Sequence, residues 1–552
     1  MDYEWGMIDT CADEVDHVPI PVRVPPGHWR RDNTHLPLPV TPMTDSVTNT
    51  EAAFGATCAE FGLLLAPRFT TIGGWSYLWM APVGARPNRP SPPGWLLPPL
   101  LRLSPEARKR MRRSRVVART GYADQVIRDW TTTVLPSFER RITALRAKDL
   151  GTMPDPHLID HVTTALDLVH DGVRAHFQVN VPNWLAMGDL WTVCHDLLGW
   201  GPTEVTALLA GLSARSSEPA RKLAELAGTR EDSPEFAEYV RVYGTRALTM
   251  ELADPTISEL PGLIWALLRD QTTQGYDPAA DTDVLARRRA EAAGRARSAL
   301  RGKDLLRFNK ALSRAVEAYP VREDNVFFTH DVPYALLRYA VLEVGERLRM
   351  RGQLSDQDDV FQLRLPEAVE ALTSREGQQA LVALRKGEHR WALANPGPTA
   401  YGPDPGPPPS VRWLRWDVRQ SMSAMLLVAD HVLATDLSNR TATPDATTLT
   451  GIAGSPGRYR GPARILRSEA EFGKLRAGDV LVCPATRASW SVLFPSAGAV
   501  VTDAGGALSH PAIIAREHRI PAVVATAVAT EVLRDGQIVT VDRSRGVVEV
   551  EA

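Results

Sequence analysis

The hydrophobic pattern of the chain changes period along its length. From about 104 to 390, apolar residues recur at three- and four-residue intervals with charges between them, most regularly over 150–179 and 203–226; this spacing predicts amphipathic helices. The arginine- and alanine-rich stretch 285–305 fits a solvated helix face whose alkyl stems cover the core. Residues 18–45 are rich in proline and are predicted to be extended, wrapping over another surface. A proline- and glycine-rich break at 396–409 precedes a further amphipathic segment, 413–433, with Trp413, Trp416, Met422, Met425 and Leu426 on an apolar side that reads as core packing. Beyond it the polar run 436–448, with Pro444 its single proline, predicts a flexible hinge linker.

The most informative stretch lies near the C-terminal end. The apolar run 497–501 reads as a buried strand, Gly505 and Gly506 allow a sharp turn, and Ile513, Ile514 and Ala515 open a helical pattern. Ser509 suits the N-cap and Pro511 the first helical turn, which places His510 at the helix N-terminus. There the macrodipole disfavours imidazolium and unpaired backbone N–H groups can hold an anion. A neutral ring nitrogen beside an anion site is what a histidine needs to accept a phosphoryl group. The Thr502 and Ser509 hydroxyls, the backbone at Gly505 and Gly506, and Arg516 are the candidate phosphate ligands. Taken alone, the same residues also fit a helix-capping turn with an incidental histidine.

Thr502, Gly505-Gly506, Ser509-His510, Ala512-Ile513, Ala515-Arg516-Glu517 and Ile520-Pro-Ala-Val-Val524 together resemble the signature of the swivelling phosphohistidine domain. That domain belongs to the phosphoenolpyruvate-utilising enzymes, among them phosphoenolpyruvate synthase, rifampicin phosphotransferase and phenylphosphate synthase. The resemblance covers 450–552, including Gly454-Ser-Pro-Gly457, Asp479-Val-Leu-Val482 and Asp535-Gly536, and implies that His510 is the phosphoryl carrier. Weaker likenesses lie upstream. Trp29, Asp32, His35 and the prolines to Pro42 resemble the opening of the family's substrate-binding region. Tyr243-Gly244-Thr245-Arg246 with Glu251 resembles a segment that usually reads Tyr-Gly-His-Arg, so Thr245 puts an acid–base step there in doubt. Tyr319-Pro-Val-Arg322-Glu323 and Arg338 are also family-like. His35, Arg246, Glu251, Arg322, Glu323 and Arg338 are therefore candidate acceptor-binding residues, with a buried ion-pair lattice as the structural alternative for the charged ones.

The expected architecture is a mostly α-helical substrate-binding domain over 1–435 with an extended N-terminal segment, a linker over 436–449, and an α/β phosphohistidine domain over 450–552. A net charge of −2 over 552 residues offers no overall basic field for nucleic acid. Four scattered cysteines lack metal-ligand spacing, no metal is expected, and no signal peptide or apolar run of membrane-spanning length is visible, so the expectation is a cytoplasmic chain without a membrane partner.

In fused relatives an ATP-grasp domain charges the histidine. Here the first 45 residues run straight into the substrate-domain pattern, and no GxxxxGK[ST] loop is present. The resemblance then implies an ATP-grasp protein acting in trans, holding ATP and Mg2+, with a small hydroxyl or carboxyl acceptor on the helical domain that is phosphorylated outright or activated for dehydration or condensation. A binding or regulatory module that keeps the fold without transfer is the competing expectation. Direct charging from phosphoenolpyruvate ranks below both.

Overall fold

The computed structural model describes residues 17–33, 35–85, 94–212, 214–274, 278–403, 410–433, 448–467, 469–486, 488–506, 509–542 and 545–551. Most of the expected linker, 436–447, lies outside the described residues.

The N-terminal segment is more than an extended wrap. It contributes β1 (Trp29–Arg31) and helix α1 (Pro42–Val47). Then β2 (Leu65–Ile72) and β3 (Trp75–Pro82) form a hairpin in register from Leu65↔Pro82 to Ile72↔Trp75. With β4 (Ala400–Tyr401) they make a four-stranded antiparallel sheet in the order β2-β3-β1-β4. The helical pattern at 104–390 gave no hint of this sheet, because three of its strands precede that region and β4 follows it.

Helices then dominate. Helix α2 (Leu97–Leu103) leads through the N-cap Ser104, whose side chain accepts from Ala107 N–H, into α3 (Pro105–Thr120). The 44-residue α4 (Asp155–Leu198) spans roughly 66 Å at 1.5 Å per residue and is the axis of the helical body. Its apolar face, including Leu168 and Val173, shares a core with Trp130, Phe328, Val341 and Phe361. Around it lie α5 (Ala214–Ala224), α6 (Pro234–Tyr243), α7 (Pro261–Gln274), α8 (Gly302–Val326), α9 (Val332–Met350) and α10 (Trp416–Leu433).

Between α8 and α9 the chain makes a π-helical turn, Phe327–Asp331, in which Val332 N–H reaches back five residues to the Phe327 carbonyl. Pro333 is the local cause: it has no N–H for the carbonyl four residues earlier, that of Thr329. The Thr329 carbonyl instead packs against α4 at Gly172, so closely that a Cβ there would lie 2.1 Å from its oxygen. Extra residues of this kind in a helix turn the side chains that follow, and they recur at functional sites.

The C-terminal region is an eight-stranded mixed sheet in the order β5-β12-β11-β7-β8-β9-β10-β6. Its strands are β5 (Thr448–Thr450), β6 (Ile452–Ser455), β7 (Arg458–Ile465), β8 (Val480–Cys483), β9 (Ala499–Thr502), β10 (Ala522–Val524), β11 (Ile538–Asp542) and β12 (Val547–Val550). Thr448 and Leu449, expected in the linker, are already strand. β7, β8, β9 and β10 run parallel, and β8 and β9 are buried throughout, as befits central strands covered on both faces. Helix α11 (His510–Glu517) follows the carboxyl end of β9.

The sheet region does not stand apart. Phe472, Trp490, Leu493 and Phe494 share one apolar cluster with Leu223 of α5, Tyr239 of α6 and Ile264 and Leu267 of α7, and Ile513 of α11 is buried with α4 and α8 residues. This places the start of α11 against the helical body.

Candidate active site

His510 begins α11, with Ser509 in extended N-cap conformation (φ −72°, ψ 161°) as the sequence predicted. Gly505 has φ +112°, a conformation that L side chains rarely adopt, and a Cβ there would meet Ser509 Oγ at 2.7 Å, so the turn needs glycine twice over. Two expected phosphate ligands hold the loop itself together: Thr502 Oγ1 donates to the Ala504 carbonyl and Ser509 Oγ to the Gly506 carbonyl, each at 2.7 Å. Asp503, next to them, is part-buried and accepts from Thr526 Oγ1 (3.3 Å), Thr530 N–H (3.1 Å) and the Thr530 hydroxyl. Burial raises its carboxyl pKa against the pull of those bonds. Arg516 departs from its expected place. It lies six residues, about 9 Å along the axis, from His510, and its Nη1 donates to the Gly454 carbonyl of β6 (2.8 Å).

Within electrostatic reach of His510 lies a buried pair that the sequence did not mark as a pair. Arg246 Nε lies 2.8 Å from Asp331 Oδ2, with side chains 8% and 11% exposed. The contact is poorly aligned for a hydrogen bond, so charge binds these atoms more than directed bonding, and both keep capacity for a further partner. Burial raises the Asp331 pKa, while Arg246 and, more weakly, His510 pull it down; His510 is thus within electrostatic reach of this carboxyl. The guanidinium also lies over the Phe327 ring at 5.1 Å. The backbone fixes the pair from both sides, since Ala247 N–H donates to the Asp331 carbonyl (2.9 Å) and Ile257 N–H to the Arg246 carbonyl (3.2 Å).

Next to Asp331, His330 is buried and its pKa is driven well below the usual histidine value, first by desolvation and then by His176 and His35. Its ring meets His176 edge-on at 4.4 Å. His176 is held by Asn325 Oδ1 at Nδ1 and by the Asn180 amide at Nε2, both 2.8 Å. His35, half-exposed, bonds Asp32 Oδ1 through Nδ1 at 2.9 Å and lies close enough to influence His330.

The structure therefore brings Arg246, with Asp331, within electrostatic reach of His510 and His35 within reach of His330, and gives Glu251 and Arg338 other work. Glu251 is part-buried and accepts from Thr41 N–H (3.0 Å), Thr41 Oγ1 and Thr44 Oγ1 (both 2.6 Å) at the start of α1; desolvation raises its pKa. Arg338 grips Glu259 with Nε (3.0 Å) and Nη2 (2.8 Å) and the Leu252 carbonyl with Nη1 (2.7 Å), and lies over Phe361. Arg338 thus belongs to the ion-pair lattice offered as the alternative, whereas Glu251 is held by hydroxyl and backbone donors and not by a cation. Arg322 is half-buried on α8, one helical turn before the π turn, and the side chain of Glu323 lies outside the described residues. Thr245 bonds the Arg241 carbonyl (3.0 Å), a helix-end contact with no acid–base capacity. The His330-Asp331 pair went unread because it sits inside an apolar run; the nearby Pro333, which forces the π turn, was the available signal.

Residues 475–546, which include His510 and its loop, match the family described as PEP-utilising enzyme, mobile domain. This region is a PEP-utilising mobile domain. Relatives extend the likeness upstream. Chondramide synthase of Chondromyces crocatus is 29% identical over 463 residues, covering 76% of this chain and 12% of that protein. An uncharacterised phosphotransferase of Bacillus subtilis is 33% identical over 243 residues, 44% of this chain and 27% of that one. Rifampicin phosphotransferase of Streptomyces sviceus is 29% identical over 361 residues, 63% of this chain and 37% of that one. The chain thus spans well under half the length of each. Two of these relatives are phosphotransferases by name.

Proposed function

We propose that this chain carries a phosphoryl group on His510 and delivers it to a small organic acceptor bound on the helical body. The observation that supports this most is the seating of His510, at the start of α11, beside the buried Arg246–Asp331 pair. In the charging step a ring nitrogen of His510 attacks a nucleotide phosphorus and the nucleotide leaves. The donor is an ATP-grasp protein or domain that binds ATP and Mg2+. In delivery an acceptor hydroxyl or carboxyl oxygen attacks the phosphorus, the P–N bond breaks, and its electron pair returns to the imidazole.

Arg246 is placed to stabilise the three charged oxygens in flight. For a hydroxyl acceptor, Asp331 takes the proton, and its raised pKa suits a carboxylate that must hold one. Arg246 also lines a small pocket whose other walls include Tyr239, Tyr243, Ile257, Leu267 and, from the mobile domain, Phe472. That lining favours an acceptor with an apolar body. Rifampicin phosphotransferase, by its name, modifies an organic molecule, which agrees with an acceptor of this kind.

Delivery and charging need different surroundings, so the mobile domain must leave its seat on α5–α7, and the polar segment 436–447 gives a tether for that excursion. The test is a chase. The chain is labelled on His510 with the donor protein, ATP and Mg2+, separated, and mixed with candidate acceptors. Loss of label from the protein with its appearance in the acceptor is expected; label that no acceptor discharges would leave a carrier without delivery and contradict the reading.

A further inference from the structure

The net charge of −2 conceals one strongly positive face. Residues 94–120 and 410–420 hold eleven arginines and lysines against two acids. Neither acid offsets the surface: Glu106 is paired with Arg110 at 2.8 Å, and Asp417 is 1% exposed. The two segments form one surface, since α10 packs against α3 and the Arg102 guanidinium lies 5.7 Å over the Trp413 ring. Arg110 and Arg113 are used inward, on the carbonyls of Leu63, Leu65 and Glu60. Arg102, Arg108, Lys109 and Arg112 stay exposed.

Large apolar side chains are exposed on the same two segments. Trp95 and Leu103 are each 75% exposed and Trp416 61%, among the most exposed large apolar groups of the described residues. For Trp416 this corrects the expectation of core packing: Val418 and Met422 face the core and Trp416 faces out. Apolar tips ringed by arginine fit the boundary between headgroups and acyl chains of an anionic bilayer, where Trp is at home and cations are attracted. A protein partner would have to supply a matching pocket for each tip, whereas a fluid interface need not.

We propose that this face seats the protein peripherally on anionic lipid. The association is one of surface contact, as no helix among the described residues is long and apolar enough to cross a membrane. It stands independently of the chemistry at His510.

The test is co-sedimentation with vesicles of phosphatidylcholine alone and of phosphatidylcholine containing one quarter phosphatidylserine, at low and high salt. Binding is expected to the mixed vesicles only, to be lost at high salt, and to shift the tryptophan emission to the blue. Each charge removed near such a surface lowers partition by about fivefold, so the double variant Arg108→Glu/Arg112→Glu is expected to lose at least about a hundredfold. Trp95→Ala with Leu103→Ala is expected to weaken binding and abolish the blue shift. These side chains are exposed, so unchanged circular dichroism and His510 labelling serve as folding controls. No binding to either vesicle, equal binding to both, or variants that bind like the wild type would overturn the proposal. So would retention of the protein by poly-glutamate or duplex DNA while the mixed vesicles are ignored, since that assigns the face to another polyanion.

Discussion

Replacing Gly172 by alanine tests how the helical body holds its half of the site. A Cβ at this position falls 2.1 Å from the Thr329 oxygen, 3.0 Å from its carbonyl carbon and 3.2 Å from its Cα. All three are backbone atoms, so no side chain can swing aside. Ordinary contact begins at 3.4 Å, and either α4 or the π turn must therefore yield by about 1 Å or slightly more. Overpacking of this kind costs about 1–3 kcal/mol. Thr329 is followed directly by His330 and Asp331, so the displacement passes to the group that faces His510. A shift of that size at a reacting centre costs about a hundredfold in rate.

The assay has two arms. Urea denaturation reads the stability loss, and chase of prelabelled His510 with acceptor reads the delivery rate. Labelling itself should be unchanged, because Gly172 is not part of the mobile domain. Gly294→Ala provides the contrast: it is exposed in a helix with nothing within 4 Å of the added Cβ, and should stabilise by about 0.5–1 kcal/mol. A Gly172→Ala protein as stable and as fast as the wild type would refute the argument that the π turn is clamped against α4.

Asp331→Asn keeps the shape of the side chain but removes its charge and proton affinity; delivery to a hydroxyl acceptor should slow by about a hundredfold or more, with His510 labelling retained, and an unchanged chase rate would remove Asp331 from the mechanism. Asp331→Ala should also destabilise the fold by about 3–5 kcal/mol, read by chemical denaturation, because it strands the Arg246 charge in the interior. His518 is buried with its pKa lowered from 6.5 to about 4 by desolvation. Its neutral form is the folded one, so its contribution is complete above pH 6.5 and is lost as pH falls toward 4, by about 3 kcal/mol in all. His518→Leu should flatten the stability profile through that window, and parallel profiles for the two proteins would disprove the assignment. Deleting about eight residues between 438 and 448 should leave both folded bodies intact but uncouple labelling from delivery, given a full tether reach of about 40 Å; full turnover in the deletion variant would show that no excursion is needed.

The parts legible in the sequence were those governed by local rules. A strand, a glycine turn and a capped helix can be read from 497–517 because each step depends on neighbouring residues, and the structure places them so. The helical period likewise announced the first half of α4, whereas 203–226 is split between a short helix, Pro202–Ala207, and α5. Long-range pairings left no such trace. The β2–β3 hairpin joins a sheet with β1 and with a two-residue strand more than 300 positions away. Arg246 was singled out, but its partner Asp331 was not, because their union depends on the segment after α6 meeting the π turn before α9, some 85 residues on. Glu251 and Arg338 have the chemistry of ligands and the geometry of fasteners, a distinction that rests on Thr41, Thr44 and Glu259, each far off in sequence. Net charge failed for a related reason: an average over the chain erases a face built from two segments some 300 residues apart.

The central claim is that His510 is the phosphoryl carrier, and mapping the phosphorylated residue tests it most directly. The chain is charged either with the donor protein, ATP and Mg2+ or chemically with phosphoramidate, digested under alkaline conditions that preserve phosphohistidine, and sequenced by mass spectrometry. The account predicts an acid-labile, base-stable phosphoryl group on the peptide containing His510, absent in His510→Ala. A phosphoryl group on another residue after donor charging, or labelling that survives in His510→Ala, would contradict it.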